Sequence, residues 1–394
     1  MAGQVKTLVI NAGSSSFKCW FQDVPDQLPK ERLEPAWKAQ TGASANLESL
    51  LRGLWEGERK AIDSPGEIAV VGHRIVHGGA RYRESVQITP EVRAGIAAQA
   101  EFAPAHNRIQ LEAIATIDRV IGNVPQVAVF DTAFHSTLEP SAYVYPGPYA
   151  WLDQGIRRYG FHGISVQYAT RRNAELLGRP ASELRLIVCH LGNGASVTAV
   201  AGGKSIDNSM GFTPLEGLMM GTRSGSIDPG IATHLFRRFG YTADQLDEIL
   251  NKQSGLLGVS GVSGDMRDIL DAIQKGNQRA RLAYEIYAHR LAREIGAMFG
   301  VLGGADAIVF TGGIGENCAP LRQDVCEQFG FLGLKLDPAK NVAPHLDQNI
   351  AAADSAVQVL VIRADEDWEI ACECNRLARA GQLSPPHSTQ PVRA

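Results

Sequence analysis

The feature that most constrains this chain's fold is a strand, a turn of small polar residues and a second strand, a pattern that occurs twice. Val5–Ile10 is apolar and stops at Asn11-Ala12-Gly13-Ser14-Ser15-Ser16, after which Phe17–Phe21 resumes the apolar run. Leu186–Cys189 likewise leads into His190-Leu191-Gly192-Asn193-Gly194-Ala195-Ser196, followed by Val197–Val200. Short apolar runs on either side of a small-residue turn read as β-hairpins. Gly13 and Gly192 fall at matching points, as do Asn11 and His190. Two halves that open alike suggest an internal duplication, although so short a stretch could also match by chance.

The remaining punctuation alternates strands with helices. Val127–Phe130 reads as a strand ending at Asp131. The stretch 281–300 has helical periodicity, with Leu282, Ile286, Ile295 and Phe299 apolar. It leads into strand Ala307–Phe310 and a turn at Thr311-Gly312-Gly313-Ile314-Gly315. Strand Val357–Ile362 ends at Arg363, and Asp365 reads as a helix N-cap. Residues 22–66 are polar and poorly periodic and read as a peripheral excursion. Residues 141–155, with Pro146, Gly147 and Pro148, read as a crossover between domains, and the Pro/Ser/Gln-bearing tail from Gly381 reads as disordered. Alternating elements predict α/β layers, and 394 residues exceed one compact core, so two domains are expected.

Composition excludes several classes. A formal net charge of -4 gives no reason to expect a nucleic-acid or anionic-membrane partner. No apolar run approaches the roughly 18 residues of a membrane helix, and the N-terminus lacks a signal peptide's apolar region. The six cysteines (19, 189, 318, 326, 372 and 374) include no CxxC pair, so they read as reduced thiols of a cytoplasmic protein.

Four small-residue turns, at 11–16, 190–196, 221–226 and 311–317, could present backbone N–H groups to phosphate oxygens. One such turn is usually plain turn chemistry; four in one chain point to a nucleotide. The familiar phosphate motifs are absent. Gly202-Gly203-Lys204-Ser205 looks like the end of a P-loop, but Thr198 stands where its first glycine belongs. No GxGxxG follows a strand and no GxSxG is present. His73-Arg74-Ile75-Val76-His77 is not HExxH and reads as strand then turn rather than a zinc site.

Eight segments, in order, resemble the acetate kinases. They are Asn11–Lys18 (NAGSSSFK), Gly72–Gly79 (GHRIVHGG), Phe130–His135 (FDTAFH), Arg158–Gly163 (RYGFHG), His190–Gly194 (HLGNG), Met210–Gly225 (MGFTPLEGLMMGTRSG), Gly264–Arg267 (GDMR) and Thr311–Asn317 (TGGIGEN). The resemblance as a whole spans residues 5 to about 370. The resemblance implies two domains, each with a duplicated actin-like (RNase H-like) β/α core, and an active site in the cleft between them. It implies a first domain of residues 1–145 plus 368–394 and a second of 146–367 that binds nucleotide and forms a homodimer.

The resemblance also implies roles. Arg74 would hold the acceptor carboxylate, Arg223 and His162 would stabilise the phosphoryl group in transfer, and Asp131 matches an essential aspartate. Asn11 and Glu366 would serve magnesium, with manganese as a substitute, although Asp365-Glu366-Asp367 stands where Asn-Glu-Glu is common. ATP or ADP would meet Lys18, His190, Leu191, Gly192, Asn193, Gly194, Asp265, Met266, Arg267, Gly313, Ile314, Gly315, Glu316 and Asn317. Bland readings exist for several of these: structural ion pairs for the arginines, turn capping for Asp131, helix capping for Glu366, a turn histidine for His190.

A carboxylate acceptor titrates near ~4 and is already ionised at neutral pH, so it needs no general base. The difficulty is repulsion between two anions, which arginines and a metal relieve. Asp131 is therefore expected to orient Arg74 or magnesium rather than take a proton. Val76, Phe161 and Pro214 align with the family's pocket for the acyl methyl. Ala105 stands where the family usually has Leu, in Ala103-Pro104-Ala105-His106-Asn107-Arg108, so propionate is an alternative to acetate. An actin-like protein that uses ATP only as a switch is the alternative from another class.

Overall fold

The computed structural model describes residues 4–12, 16–26, 33–42, 46–99, 104–345 and 347–384. The chain divides into two compact units, Met1–Phe134 with Asp365–Ala394, and His135–Ala364. Gly13, Ser14 and Ser15 of the first small-residue turn, and the end of the tail, lie outside the described residues.

The first unit is built on a six-stranded mixed sheet of β1 Gln4–Ala12, β2 Ser16–Pro25, β3 Trp37–Gly42, β4 Val70–Ile75, β5 Val86–Gln87 and β6 Gln126–Phe130, in the order β3-β2-β1-β4-β6-β5. β1 and β2 form the expected antiparallel hairpin, with Asn11 opposite Lys18, while β1, β4 and β6 run parallel. Alternation along β1 turns Leu8, Ile10 and Ala12 into a core with Ala113 and Ile117 of helix Pro104–Val120. The opposite face is covered by helix Glu366–Arg379, where Trp368 meets Trp20 edge-on at 6.2 Å. Gly72 on β4 permits that helix to approach, since a Cβ there would lie 2.5 Å from Ile370 Cγ2 and 2.7 Å from Cys374 Sγ.

The polar stretch 22–66 is more than an excursion. Within it β3 extends the sheet antiparallel to β2, and Trp37, Leu47, Leu51, Leu54 and Ile62 join the core. Its apolar residues are too widely spaced to give a local period, and only the sheet edge gathers them.

The second unit repeats the plan with β7 Arg185–Leu191, β8 Ala195–Ala201, β9 Lys204–Asn208, β10 Ala307–Thr311, β11 Gln348–Asn349 and β12 Gln358–Val361. Read from the other end, its order β9-β8-β7-β10-β12-β11 matches that of the first unit, with parallel β7, β10 and β12 at the centre. Helix Gln278–Leu302 packs against β7 and β8, and helix Gly163–Leu177 against β7 and β10. Ile10 lies beside His73, so the next residues outward are Asn11 and Arg74; His190 pairs with Thr311 at the same place in the second sheet. The duplication read from two short hairpins therefore extends through all twelve strands.

Two local differences from the sequence reading follow from backbone hydrogen bonding. Gly312–Asn317, read as a turn, is a short helix, and residues 141–155 carry the short helices Pro140–Tyr143 and Ala150–Asp153. Among the described residues no helix is long and apolar enough to cross a membrane, and the six cysteines are buried.

Candidate active site

In the first unit the parallel strands β1, β4 and β6 end side by side and deliver Asn11, Arg74 and Asp131. Alternation places Arg74 on the same sheet face as Gly72, towards helix Glu366–Arg379. Asp131 follows β6 directly, and its N–H donates to Ile75 O at 2.9 Å, which fixes it beside Arg74. Arg74 Nε and Nη2 both donate to Asp131 Oδ2, at 3.0 and 2.6 Å, and Nη1 donates to Asn11 Oδ1 at 3.3 Å. The same Nη1 lies 3.4 Å from Glu366 Oε2. Asn11 Nδ2 donates to Glu366 Oε2 at 3.1 Å and to Asp367 Oδ1 at 3.3 Å.

The helix that supplies Glu366 and Asp367 begins at Asp365, whose Oδ1 accepts from Trp368 N at 3.3 Å. Carboxylates are favoured in a first helical turn, so helix capping and a polar site share one short segment. Burial pushes the Asp131 carboxyl up to about 6 against the pull of Arg74. Burial also opposes the Arg74 charge, but Asp131 and Glu366 outweigh it and raise the guanidinium's pKa. Asp131 Oδ1 is buried and has no hydrogen-bond partner among the described residues. Val76 lies just beyond β4 and is buried, while Lys18 on β2 is exposed. Ala105 is in the first turn of helix Pro104–Val120, and its side chain lies outside the described residues.

In the second unit His162 caps helix Gly163–Leu177 with φ 60° and ψ 23°, a left-handed conformation that costs a residue with a side chain about 1–3 kcal/mol. Its Nδ1 is 3.0 Å from Ser196 Oγ, and its ring centroid is 4.2 Å from that of His190. His190 Nδ1 is 2.8 Å from Ser165 Oγ. A Cβ placed on Gly194 would lie 3.3 Å from His162 Nε2 and 3.4 Å from Arg223 Nη1, so both nitrogens stand over this glycine. Arg223 Nη1 donates to Pro214 O at 3.2 Å. The loop carrying Arg223 closes at Gly225, where φ is 69° and a Cβ would fall 2.2 Å from Leu218 O.

Phe161 is buried and its carbonyl accepts from His135 Nε2 at 2.9 Å. That bond requires the proton on Nε2, which leaves Nδ1 to accept from Ser205 Oγ at 2.8 Å. His135, held by Ser205, thus supports the Phe161–His162 turn together with Asn208, whose Nδ2 donates to the same Phe161 carbonyl at 3.3 Å. The segment reading included His135 but assigned it no part, because its partner lies 70 residues away.

Beside this cluster the second unit holds a cavity of about 730 Å³, within the range of small-molecule sites. Gly192, Asn193, Asp265, Met266 and Arg267 line one part of it, and Gly313, Ile314 and Asn317 another. Leu270 and Cys318 also line it and were missed, although Leu270 lies one helical turn beyond Met266 and Arg267. Leu191 is fully buried behind the turn and Gly315 is packed inside. Glu316 Oε1 is taken by the N–H groups of Gly312 and Ala364, at 3.0 and 2.8 Å. Buried Arg322 donates to Gly315 O and Glu316 O at 2.8 and 2.9 Å, securing the last turn of the short helix. Asp265 caps helix Met266–Gln274 and pairs with Arg267 at 2.6 Å.

Comparison with known proteins gives a consistent result. The sequence model of the acetokinase family matches residues 27–372. An acetate kinase of Gloeobacter violaceus is 56% identical over 399 residues, covering 94% of this chain and 98% of its own. One of Acaryochloris marina is 54% identical, covering 94% of this chain and 99% of its own. Among solved structures, an acetate kinase of Porphyromonas gingivalis superposes with a TM-score of 0.87 at 38% identity, covering 95% of this chain and 100% of its own. A propionate kinase of Francisella tularensis superposes with a TM-score of 0.83 at 36% identity, covering 94% and 98%.

Proposed function

The chain belongs to the acetokinase family, and we propose that it transfers the γ-phosphoryl group of ATP reversibly to acetate, giving acetyl phosphate and ADP. The observation that carries this reading is the Arg74 cluster: a half-buried guanidinium held by buried Asp131, two residues before apolar, buried Val76. A charged fork beside an apolar side chain suits a short carboxylate.

In the forward direction a carboxylate oxygen forms the new bond to the γ-phosphorus, and the bond from that phosphorus to the β–γ bridging oxygen breaks with its electron pair to ADP. No proton moves, so Asp131 is assigned to orienting Arg74. Arg223 and His162 Nε2, both poised over Gly194, neutralise charge on the phosphoryl oxygens. The cavity bounded by Asn193, Asp265–Arg267, Gly313, Ile314 and Asn317 takes the nucleotide, with His190, Leu191, Gly194, Gly315 and Glu316 as further contacts or supports.

Among the described residues no three His, Cys, Asp or Glu side chains converge as a metal cluster. Magnesium nevertheless suits the donors present: Asn11 Oδ1 and Glu366 Oε2 both stand at Arg74 Nη1, at 3.3 and 3.4 Å, and the Asp131 Oδ1 atom is buried without a hydrogen-bond partner among the described residues. Magnesium keeps waters and bridges to phosphate, so it does not require an all-protein cage; when bound it would offset charge on the transferring group. Asn11 and Glu366 are assigned to it.

The test is to supply ATP, magnesium and acetate, propionate or butyrate, and to trap acyl phosphate as the hydroxamate. Acetyl hydroxamate that is lost in Arg223→Ala supports the assignment. ATP turnover without hydroxamate from any acid would favour an ATP switch instead. A propionate reading is supported by Ala105 and by the likeness to a propionate kinase; Ala105→Leu should then lower propionate use relative to acetate, and an unchanged ratio would refute it. A homodimer is also proposed, through helix Pro229–Phe239. That helix buries none of its residues, and Ile231, Phe236 and Phe239 are 45, 40 and 61% exposed.

A further inference from the structure

Val76 presents a backbone problem. The pairing of β4 with β6 ends at Ile75, so the next N–H has no strand partner. A buried N–H left unpaired is costly, and such groups nearly always find an acceptor. Here the acceptor is a side chain: Gln110 Oε1 receives the Val76 N–H at 3.1 Å. Gln110 is 1% exposed, on the inner face of helix Pro104–Val120. Its Nε2 reaches Ala12 O at 3.5 Å, the residue after Asn11 at the end of β1. One turn earlier on the same helix, buried Asn107 donates from Nδ2 to His77 O at 3.3 Å and to Ile96 O at 3.2 Å.

Two amides from one helix therefore grip the Val76–His77 segment, one at the N–H of Val76 and one at the C=O of His77. The same helix begins with the turn that carries Ala105. An apolar side chain would fill the position of Gln110 without any polar desolvation, so an amide there is explained by the bond it makes. We infer that Gln110 is a positioning residue that sets Val76 relative to Arg74 and helix Pro104–Val120, and thereby the length of acyl chain the acceptor site takes. This rests on the assignment of Val76 and Arg74 to the acceptor.

The test uses three full-length variants. Gln110→Met keeps the length and removes the acceptor. Gln110→Glu keeps an oxygen for the Val76 N–H. Gln110→Asn is shorter and polar, and carries the test if the Met variant fails to fold. KM and kcat are measured for acetate, propionate and ATP by hydroxamate formation, alongside Tm. In Gln110→Met the KM for acetate should rise about tenfold, the scale of one lost buried hydrogen bond, while the KM for ATP stays within about twofold. The ratio of propionate to acetate kcat/KM should shift by at least about threefold, as for a partial change in pocket length. Gln110→Glu should restore most of both.

An unchanged acetate KM and selectivity would overturn the inference. So would a joint rise of acetate and ATP KM with a fall in Tm, which marks a merely structural amide. Wild-type protein that forms no acyl phosphate would overturn the acceptor assignment itself, and this inference with it.

Discussion

At the scale of single residues, the site turns on what each guanidinium is placed against. Arg74 is committed to Asp131 through two nitrogens, whereas Arg223 Nη1 rests on a carbonyl and faces the space above Gly194. Removing Arg223 should therefore cost kcat about 10²–10³-fold, the loss seen when one transition-state donor is deleted, with little change in Tm. Near-normal turnover in folded Arg223→Ala would refute the role. Two buried histidines make a separate prediction about stability. Burial pushes His73 and His135 down to about 4 from the ordinary 6.5. Between those values the unfolded chain binds protons that the folded chain refuses. Stability is thus retained above pH 6.5 and lost as pH falls towards 4, with a slope of up to about 1.4 kcal/mol per pH unit for each histidine. Urea unfolding at pH 7 and 5 should show a smaller loss for His73→Gln than for wild type; equal losses would refute it. Arg74, Asp131 and His162 were legible in the sequence because each sits in a local motif. Gln110 was not, because its partner Val76 lies 34 residues away.

At the scale of elements, the hairpins and the central strands follow from local pattern, while loop geometry depends on distant backbone. The loop carrying Arg223 shows this: Gly225 must be glycine both for its positive φ and because the carbonyls of Leu218 and Gly217 stand 2.2 and 2.5 Å from any Cβ. Neither group is the flexible end of a side chain. Gly225→Ala should lower stability by about 2–4 kcal/mol, combining a disfavoured backbone region with a steric clash. It should also reduce kcat by misplacing Arg223; a variant with wild-type Tm and turnover would contradict the argument. The segment Gly312–Asn317 reads as a turn because its glycines are poor helix formers. It is helical because Glu316 takes the Gly312 N–H and Arg322 holds the carbonyls at the other end.

At the scale of the whole molecule, two units repeat one sheet order, and their strand ends carry different chemistry at equivalent places. Asn11 and Arg74 in the first unit correspond to His190 and Thr311 in the second. The common sheet is a frame, and under the proposed function the residues at the ends of its parallel strands would adapt one copy to a carboxylate and the other to a nucleotide. The exposed apolar face of helix Pro229–Phe239 belongs to the second copy and has no counterpart among the described residues of the first. If it is the seam of a homodimer, Phe236→Glu with Phe239→Glu should give a monomer by sedimentation, with an unchanged circular dichroism spectrum. A wild-type protein that sediments as a monomer would end that proposal.

The sequence alone determined the α/β class, the paired hairpins and the family, because these rest on local periodicity and on contiguous motifs such as MGFTPLEGLMMGTRSG. It also singled out Arg74, Asp131 and Glu366, though not that one guanidinium would lie within reach of both carboxylates. Tertiary structure decided that grouping, since three strand ends and a helix start from residues 11, 74, 131 and 366 meet only in the folded sheet. It decided too that β3 would extend the sheet, that Glu316 would serve backbone N–H groups, and that Gln110 would grip Val76. For β3 the deciding force is the burial of widely spaced apolar residues; for the charged group, Glu316 and Gln110 it is the need of a polar group withdrawn from water for a partner, and the identity of that partner is set by long-range packing rather than by neighbours in the chain.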